Sequence, residues 1–353
     1  MESEGTKNVE RGRAEAAFGP RYRLERLRVR SCALEGNPLG DPAEREVLLL
    51  VPPGWREGEP LPHVWMLAGF GGTGRSFLNF DPWGESLDER VSRLAREGRI
   101  GPMLFVLPDT FTALGGNQHV DSPGVGMYGR FLWEEALPAV EARYPSRGRA
   151  VAGKSSGGYG ALVHAMSRPG LFDACVAHSA DMGFELCYAP DLGHLLREVE
   201  RAGGLEAFRA QLLNRNWPHL SGPLRAAVNL YAMALTYAPD PEAPGGTRLP
   251  VDPETGEPDV EVWRRWLEQD PLRLARRPEA QEALRRLRLL FFDCGTRDEF
   301  NLLYGARRLH RLLEAAGVAH RFETFEDGHM GVGYRWDRSL PLLWEALADA
   351  GGR

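Results

Sequence analysis

Ser155 sits in the run Gly153-Lys154-Ser155-Ser156-Gly157, a G-x-S-x-G spacing flanked by a strand-like segment, RAVAGKS, and a helix-like one, GYGALVHAMSRP. That order suits a nucleophilic serine. A sharp strand-to-helix turn lifts the hydroxyl above a sheet, and glycines two residues before and after remove side chains that would collide in the turn. The helix start behind it favours developing negative charge. The motif alone also occurs in plain structural turns; the strand and helix on either side favour the chemical reading.

A serine hydroxyl is a weak nucleophile without a base. Of nine histidines, His329 stands out: it lies in EDGHMG, after the last strand-like segment and before the last helix. His63 falls inside a strand, and His164 and His310 fall on helices, which are structural positions. The base needs a carboxylate to fix its tautomer. Asp293, Asp298 and Glu299 cluster in FFDCGTRDEF. Asp293 falls at the end of a strand, where it points into packing. Asp298 falls on the following loop and is the expected partner of His329.

A tetrahedral oxyanion needs fixed N–H donors. Ser156, next to the nucleophile, should give one. The loop AlaGlyPheGlyGlyThrGly at 68–74 should give the other, from Phe70 first and Gly71 second. Substrate contacts are expected from Gly71, from Gln118 and Tyr128 of the 109–128 loop, from His178 and from Trp217. His178 ends the strand after the nucleophile helix, where it either lines the site or sits satisfied in the core. Asn117 and Asp121 offer further polar contacts in that loop. Lys154, beside the nucleophile, either forms an ion pair under a lid or is exposed. The aromatics Trp217, Tyr231, Tyr237, Trp263 and Trp266 either face the substrate or build a small core of their own.

These groups need a scaffold that presents strand ends together. YRLERLRVRS and EREVLLLVPPGW read as an antiparallel edge hairpin. Strands HVWMLAGF, MLFVLPD, RAVAGKS and ACVAHS then alternate with helices LDERVSRLAREGR, LWEEALPAVEARY and GYGALVHAMSRP. This predicts an α/β fold, a mostly parallel central sheet with helices on both faces. The alternation breaks at about residue 182 and resumes at about 287 with LRLLFFDCG, NLLYGARRLHRLLEAAG, HRFETFE and a last helix. The expected organisation is a mobile N-terminal arm at 1–20, a core of 21–181 and 287–353, and an inserted helical lid at 182–286. Within the lid, the proline-rich loop at 239–258 is long enough to be functional or mobile.

Composition narrows the class. The chain has 353 residues, 43% hydrophobic and 26% charged, which excludes fibrous, low-complexity and wholly disordered types. Its net charge of −6 argues against nucleic acid. All but two of the 43 cationic residues are arginine, the lysines being Lys7 and Lys154. Four scattered cysteines give neither a disulfide framework nor a zinc pattern, and no nucleotide fingerprint is complete, so no metal or cofactor is expected. The absence of a long apolar run predicts no membrane span. The polar N-terminal segment reads as cytoplasmic. A homo-oligomer is left open.

On AGKSSGGYGAL at 152–162, LAGFGGTGRSFLN at 67–79, DCGTRDEF at 293–300 and DGH at 327–329, the chain resembles the Putative esterase family of α/β-hydrolases. That family includes esterase-D-like, S-formylglutathione-hydrolase-like and feruloyl-esterase-like enzymes. The resemblance runs from about residue 22 to 350, with HSADMGFELCYAPD at 178–191 and LPVDPETGEPDVEVWRRWL at 249–267 marking a subgroup with a helical insertion. It implies an α/β-hydrolase fold and serine hydrolase chemistry, with Ser155, Asp298 and His329 in the catalytic roles. Lys154 stands where the formylglutathione enzymes commonly have histidine, and the insertion is foreign to their compact form. The expected activity is a serine carboxylesterase acting on a small or aromatic ester. An acyltransferase or thioesterase on the same residues, or a non-catalytic binding protein on this scaffold, are the alternatives.

Overall fold

The computed structural model describes residues 21–214 and 220–348. The expected arm at 1–20 and Trp217 lie outside the described residues. Eight strands form the sheet: β1 (Arg23–Arg30), β2 (Glu44–Val51), β3 (Leu61–Leu67), β4 (Leu104–Pro108), β5 (Ser146–Lys154), β6 (Ala174–His178), β7 (Leu289–Gly295) and β8 (Arg321–Phe325). Their order is β1-β2-β4-β3-β5-β6-β7-β8. Only β2 runs against its neighbours; all the other pairings are parallel. The edge hairpin, the parallel core and the helices on both faces are those of an α/β-hydrolase.

Strand periodicity divides the core in two. Trp65 and Leu67 of β3, Leu104 and Val106 of β4 and Leu290 and Phe292 of β7 face one side. Their alternates Val64, Met66, Phe105, Leu107 and Phe291 face the other. Both faces are covered, so these strands read as continuous apolar runs. The second face is covered by α1 (Leu87–Arg96) and α10 (Trp336–Ala348). Ser86 and Glu89 close a capping box at the start of α1, with acidic residues in its first turn and arginines in its last.

The first face carries α2 (128–141, whose middle Phe131–Ala136 is π-helical) and α3 (Ser156–Ser167). The segment between β6 and β7 adds α4 (Leu192–Ala202), α5 (Leu205–Leu213), α6 (Gly222–Tyr237), α7 (Val260–Glu268) and α8 (Pro278–Arg285). After β7 comes α9 (Leu302–Ala315). Helices α4 to α7 share one apolar cluster with the sheet and α3. Tyr231, Tyr237 and Trp266 are buried in it, with Tyr231 edge-on to Phe208 and Tyr237 edge-on to Trp266. The proline-rich loop is pinned by the bridges Pro239–Thr247 and Val251–Pro258.

Three buried histidines are held neutral inside this frame. Burial pulls His63 down to about 4, His119 to about 4 and His164 to about 3. In the unfolded chain each binds its proton near the ordinary value of 6.5. As pH falls from about 6.5 towards 4, the unfolded state therefore takes up protons that the folded state refuses, and stability is lost. Urea midpoints should fall steadily between pH 7 and pH 4.5. Replacing His164 by Gln, which keeps a donor for the His119 carbonyl, should flatten the slope. A midpoint constant across that range would contradict this origin.

Candidate active site

The parallel strands deliver their carboxyl ends to one edge, where loops can converge. After β5 the chain turns through Ser155, whose φ of 58° and ψ of −126° lie outside the ordinary regions. A non-glycine residue held there costs about 1–3 kcal/mol, supplied by its surroundings. The turn is locked by backbone bonds: Ser155 N–H to the His178 carbonyl (3.0 Å), and Tyr159 N–H to the Ser155 carbonyl (2.9 Å). It is also very tight. A Cβ on Gly153 would lie 2.2 Å from the Gly157 carbonyl carbon, and one on Gly157 would lie 2.0 Å from the Leu67 oxygen. The two glycines of the motif are thus required by close backbone approach.

His329 arrives from the loop after β8, which crosses the end of β7 closely: Thr296 N–H bonds the Phe325 carbonyl (2.8 Å), and Arg297 N–H bonds that of Asp327 (3.0 Å). This crossing brings His329 Nδ1 to 2.8 Å from Asp298 Oδ2. Glu299 accepts the His329 backbone N–H at 2.7 Å, and the Phe300 ring packs edge-on to the imidazole at 4.8 Å. Burial pushes the Asp298 carboxyl up, but the His329 hydrogen bond and charge and the backbone N–H groups of Phe300 and Leu302 outweigh it. The net result holds Asp298 below the usual carboxylate range. Asp293 is elsewhere: it accepts from His178 Nδ1 (2.7 Å) and Arg335 Nε (2.8 Å) beneath the sheet edge.

Ser155, Ser156, Phe70, Lys154 and His329 line one cleft of about 370 Å³. The Phe70 N–H bonds no carbonyl among the described residues, and Ser156 opens α3, where the first N–H groups lack intrahelical partners. The loop carrying Phe70 is braced from below. His119 Nε2 bonds the Ala68 carbonyl (2.8 Å), and His164 Nε2 bonds the His119 carbonyl (2.8 Å). Cys187 also lines the cleft, but burial pushes its thiol well above the usual range, so it stays an unreactive thiol.

Asp181, three residues past β6, carries no motif and was not singled out from the sequence. It is 5% exposed and lines the cleft. Its Oδ1 accepts the Ser155 hydroxyl at 3.3 Å; its Oδ2 accepts from Ser156 Oγ (3.1 Å), Tyr188 OH (3.0 Å) and Gln118 Nε2 (3.1 Å). The hydrogen bond that Ser155 makes is to Asp181, not to His329. Only the coincidence of the β6 end with the turn after β5 brings this carboxylate to the serine, and that is a matter of tertiary packing.

Several expected substrate contacts are corrected. The Gly71 N–H is consumed by the Gly115 carbonyl at 2.7 Å, which leaves it no donor to offer. Tyr128 is fully buried, with its hydroxyl accepting from Arg45 Nη2 (2.6 Å) and donating to Asp41, away from the cleft. His178 is a core residue between Asp293 and Ser339 Oγ (2.9 Å), packed edge-on to Trp336. Gln118 is buried and does not line the cleft, but its Nε2 donates to Asp181, which does. The segment between β6 and β7 lines the cleft with Tyr188, Asp191, Gly222, Arg225, Ala226 and Asn229, while Tyr231, Tyr237 and Trp266 are buried in the core. Among the described residues, no group of three or more His, Cys, Asp or Glu could hold a metal ion, and no helix is long and apolar enough to cross a membrane.

A family model described as Putative esterase matches residues 42–343. No curated protein matches the chain at a significant level. Among solved structures, one described as a ferulic acid esterase superposes with a TM-score of 0.58 at 20% identity, over 93% of this chain and 99% of its own. An S-formylglutathione hydrolase from Agrobacterium tumefaciens gives 0.55 at 18%, over 92% and 95%. A fluorophosphonate-binding serine hydrolase, FphF, from Staphylococcus aureus gives 0.55 at 14%, over 93% and 100%. At such identities the likeness is one of fold.

The glycine contacts give a direct test of the turn. Gly157→Ala should lower the melting temperature by several degrees or prevent folding, because its Cβ would meet the Leu67 backbone oxygen at 2.0 Å. Gly193→Ala, in α4 with only the flexible end of Arg197 nearby, should be neutral or raise stability by about 0.5–1 kcal/mol. Equal melting temperatures for the two variants would mean that the turn is not so constrained.

Proposed function

The chain belongs to the Putative esterase family, and on that premise we propose that it is a serine carboxylesterase working through an acyl-enzyme. The observation that carries the reading is the 2.8 Å contact between His329 Nδ1 and Asp298 in a cleft shared with the strained Ser155. In this reading the Ser155 hydroxyl leaves Asp181 and turns to His329. Its Oγ attacks the ester carbonyl as His329 Nε2 takes the proton. Asp298 holds the opposite nitrogen protonated and stabilises the imidazolium. The oxyanion is received by the N–H groups of Phe70 and Ser156, each such donor contributing about 2.7–4 kcal/mol. Collapse expels the alcohol with the proton from His329. Water, activated by the same base, then releases the acid and restores Ser155.

The substrate in this reading is a small or aromatic ester. The cleft's size supports a small ligand, and the exposed faces of Phe300 and Met330 at its mouth support an apolar or aromatic portion. The fold likeness to a ferulic acid esterase agrees with an aromatic acyl group, and that to an S-formylglutathione hydrolase keeps thioesters as the second reading.

Ser155→Ala should reduce hydrolysis of 4-nitrophenyl acetate on the order of 10⁴–10⁶-fold with an unchanged melting temperature. Retention of more than a few per cent of activity would exclude Ser155 as nucleophile. The two aspartates should separate cleanly. Asp298→Asn should cut turnover by about 10⁴-fold by analogy with other triads. Asp293→Asn should instead lower the melting temperature, since it weakens the buried pair with Arg335, and leave most turnover. A larger turnover loss in the Asp293 variant would reverse the assignment.

A further inference from the structure

Lys154 precedes the nucleophile by one residue and lines the cleft. It is half-buried, and its ammonium enters no hydrogen bond or ion pair among the described residues. The carboxylates around it are already engaged. Asp298 takes His329 Nδ1 (2.8 Å) and the Phe300 N–H (3.0 Å), Glu299 takes the His329 N–H (2.7 Å), and Asp181 takes four donors. Burial pulls the Lys154 ammonium below the ordinary lysine value, and the charges of Asp298, Asp181 and Glu299 offset part of that pull.

An ammonium has three donors and no acceptor. Where such a group meets solvent, water satisfies its donors. An ester that displaces that water and brings no acceptor leaves a charged donor unpaired, which disfavours its binding. A second cation, Arg225 of α6, lines the same cleft and forms no ion pair among the described residues. Two carboxylates also line it. Asp181 accepts four neutral donors, and Asp191, from the short turn that leads into α4, also lines the cleft, so its lining carries both signs of charge. Of these charges, the Lys154 ammonium is the unpaired donor next to Ser155 in the chain.

The two halves of the ester differ in how long they stay near that group. The acyl carbon is the atom that bonds to Ser155 Oγ, and consecutive Cα atoms are about 3.8 Å apart. The acyl group stays within reach of residue 154 through both steps, whereas the alcohol departs after the first. We propose that Lys154 is a specificity residue that receives a carboxylate on the acyl half of the substrate, so that half-esters of short dicarboxylic acids are the preferred class.

This rests on the esterase reading above, and the test separates the two. The kcat/KM values for mono-4-nitrophenyl adipate and for the neutral 4-nitrophenyl heptanoate are compared in wild type, Lys154→Met and Lys154→Arg. Wild type should prefer the anionic ester by roughly tenfold or more. The Met variant, of similar length and shape, should lower that ratio about tenfold, and the Arg variant should keep most of it. Added salt should erode the wild-type ratio, since part of the cleft is open to solvent. A wild-type ratio of one or less, or a ratio unmoved in Lys154→Met, would overturn the proposal. So would an equal loss on both esters, which would make Lys154 a counter-ion to the triad instead. Labelling of Ser155 by a fluorophosphonate probe accompanies the kinetics. If the protein is neither labelled nor active on either ester, the esterase reading fails and this proposal with it; a labelled, active enzyme without preference sinks this proposal alone.

Discussion

The closest constraint in the molecule is backbone against backbone: the α3 start lies so near the ends of β3 and β5 that neither Gly153 nor Gly157 has room for a methyl group. That approach forces the positive φ of Ser155, sets its side chain above the sheet edge and aims the first N–H groups of α3 at the same spot. Everything else at the site is arranged around a point already fixed. The 68–74 loop comes from β3, whose last residues touch the turn, and two buried neutral histidines hold it from behind. Charged imidazoles could not occupy those positions cheaply, which links site geometry to resistance against protonation.

The distribution of charge follows from what each carboxylate touches. Asp298 faces an imidazole, Asp293 an arginine and an imidazole within the fold, and Asp181 a group of four hydroxyl and amide donors. The three lie near one another at the ends of β6 and β7, yet only Asp298 can orient His329. Asp181 accepts from the Ser155 hydroxyl and from Tyr188, so Ser155 and the segment between β6 and β7 are joined by one carboxylate. The insertion is continuous with the main apolar cluster. It contributes Tyr188, Asp191, Gly222, Arg225, Ala226 and Asn229 to the cleft, while Tyr231, Tyr237 and Trp266 pack in the core.

Strands and their order of use were legible because period and composition agree in them. HVWMLAGF and LRLLFFDCG are buried on both faces and read as such. The turn around Ser155 and the loop position of His329 were legible because so tight a strand-to-helix turn needs glycines at fixed spacing, and the loop follows the last strand. The remaining site was not. Gly71 looked like a donor, yet its N–H belongs to Gly115, forty-four residues on in the chain by number alone. Tyr128 and His178 looked polar enough for substrate, yet Arg45 and Asp293 satisfy them in the core. Asp181 has no sequence signature, because its role arises only when two strand ends meet. Long-range partners decide which polar groups are spent and which are free, and no local pattern carries that information.

The central claim is that Ser155 is a nucleophile whose oxyanion is received by Phe70 and Ser156. The most direct measurement is a crystal structure of the protein after reaction with a small phosphonate ester. The account predicts phosphorus bonded to Ser155 Oγ, a phosphoryl oxygen about 2.7–3.1 Å from the backbone nitrogens of both Phe70 and Ser156, and Oγ no longer bonded to Asp181. Phosphorus on any other residue, or a phosphoryl oxygen directed away from those two nitrogens, would contradict it.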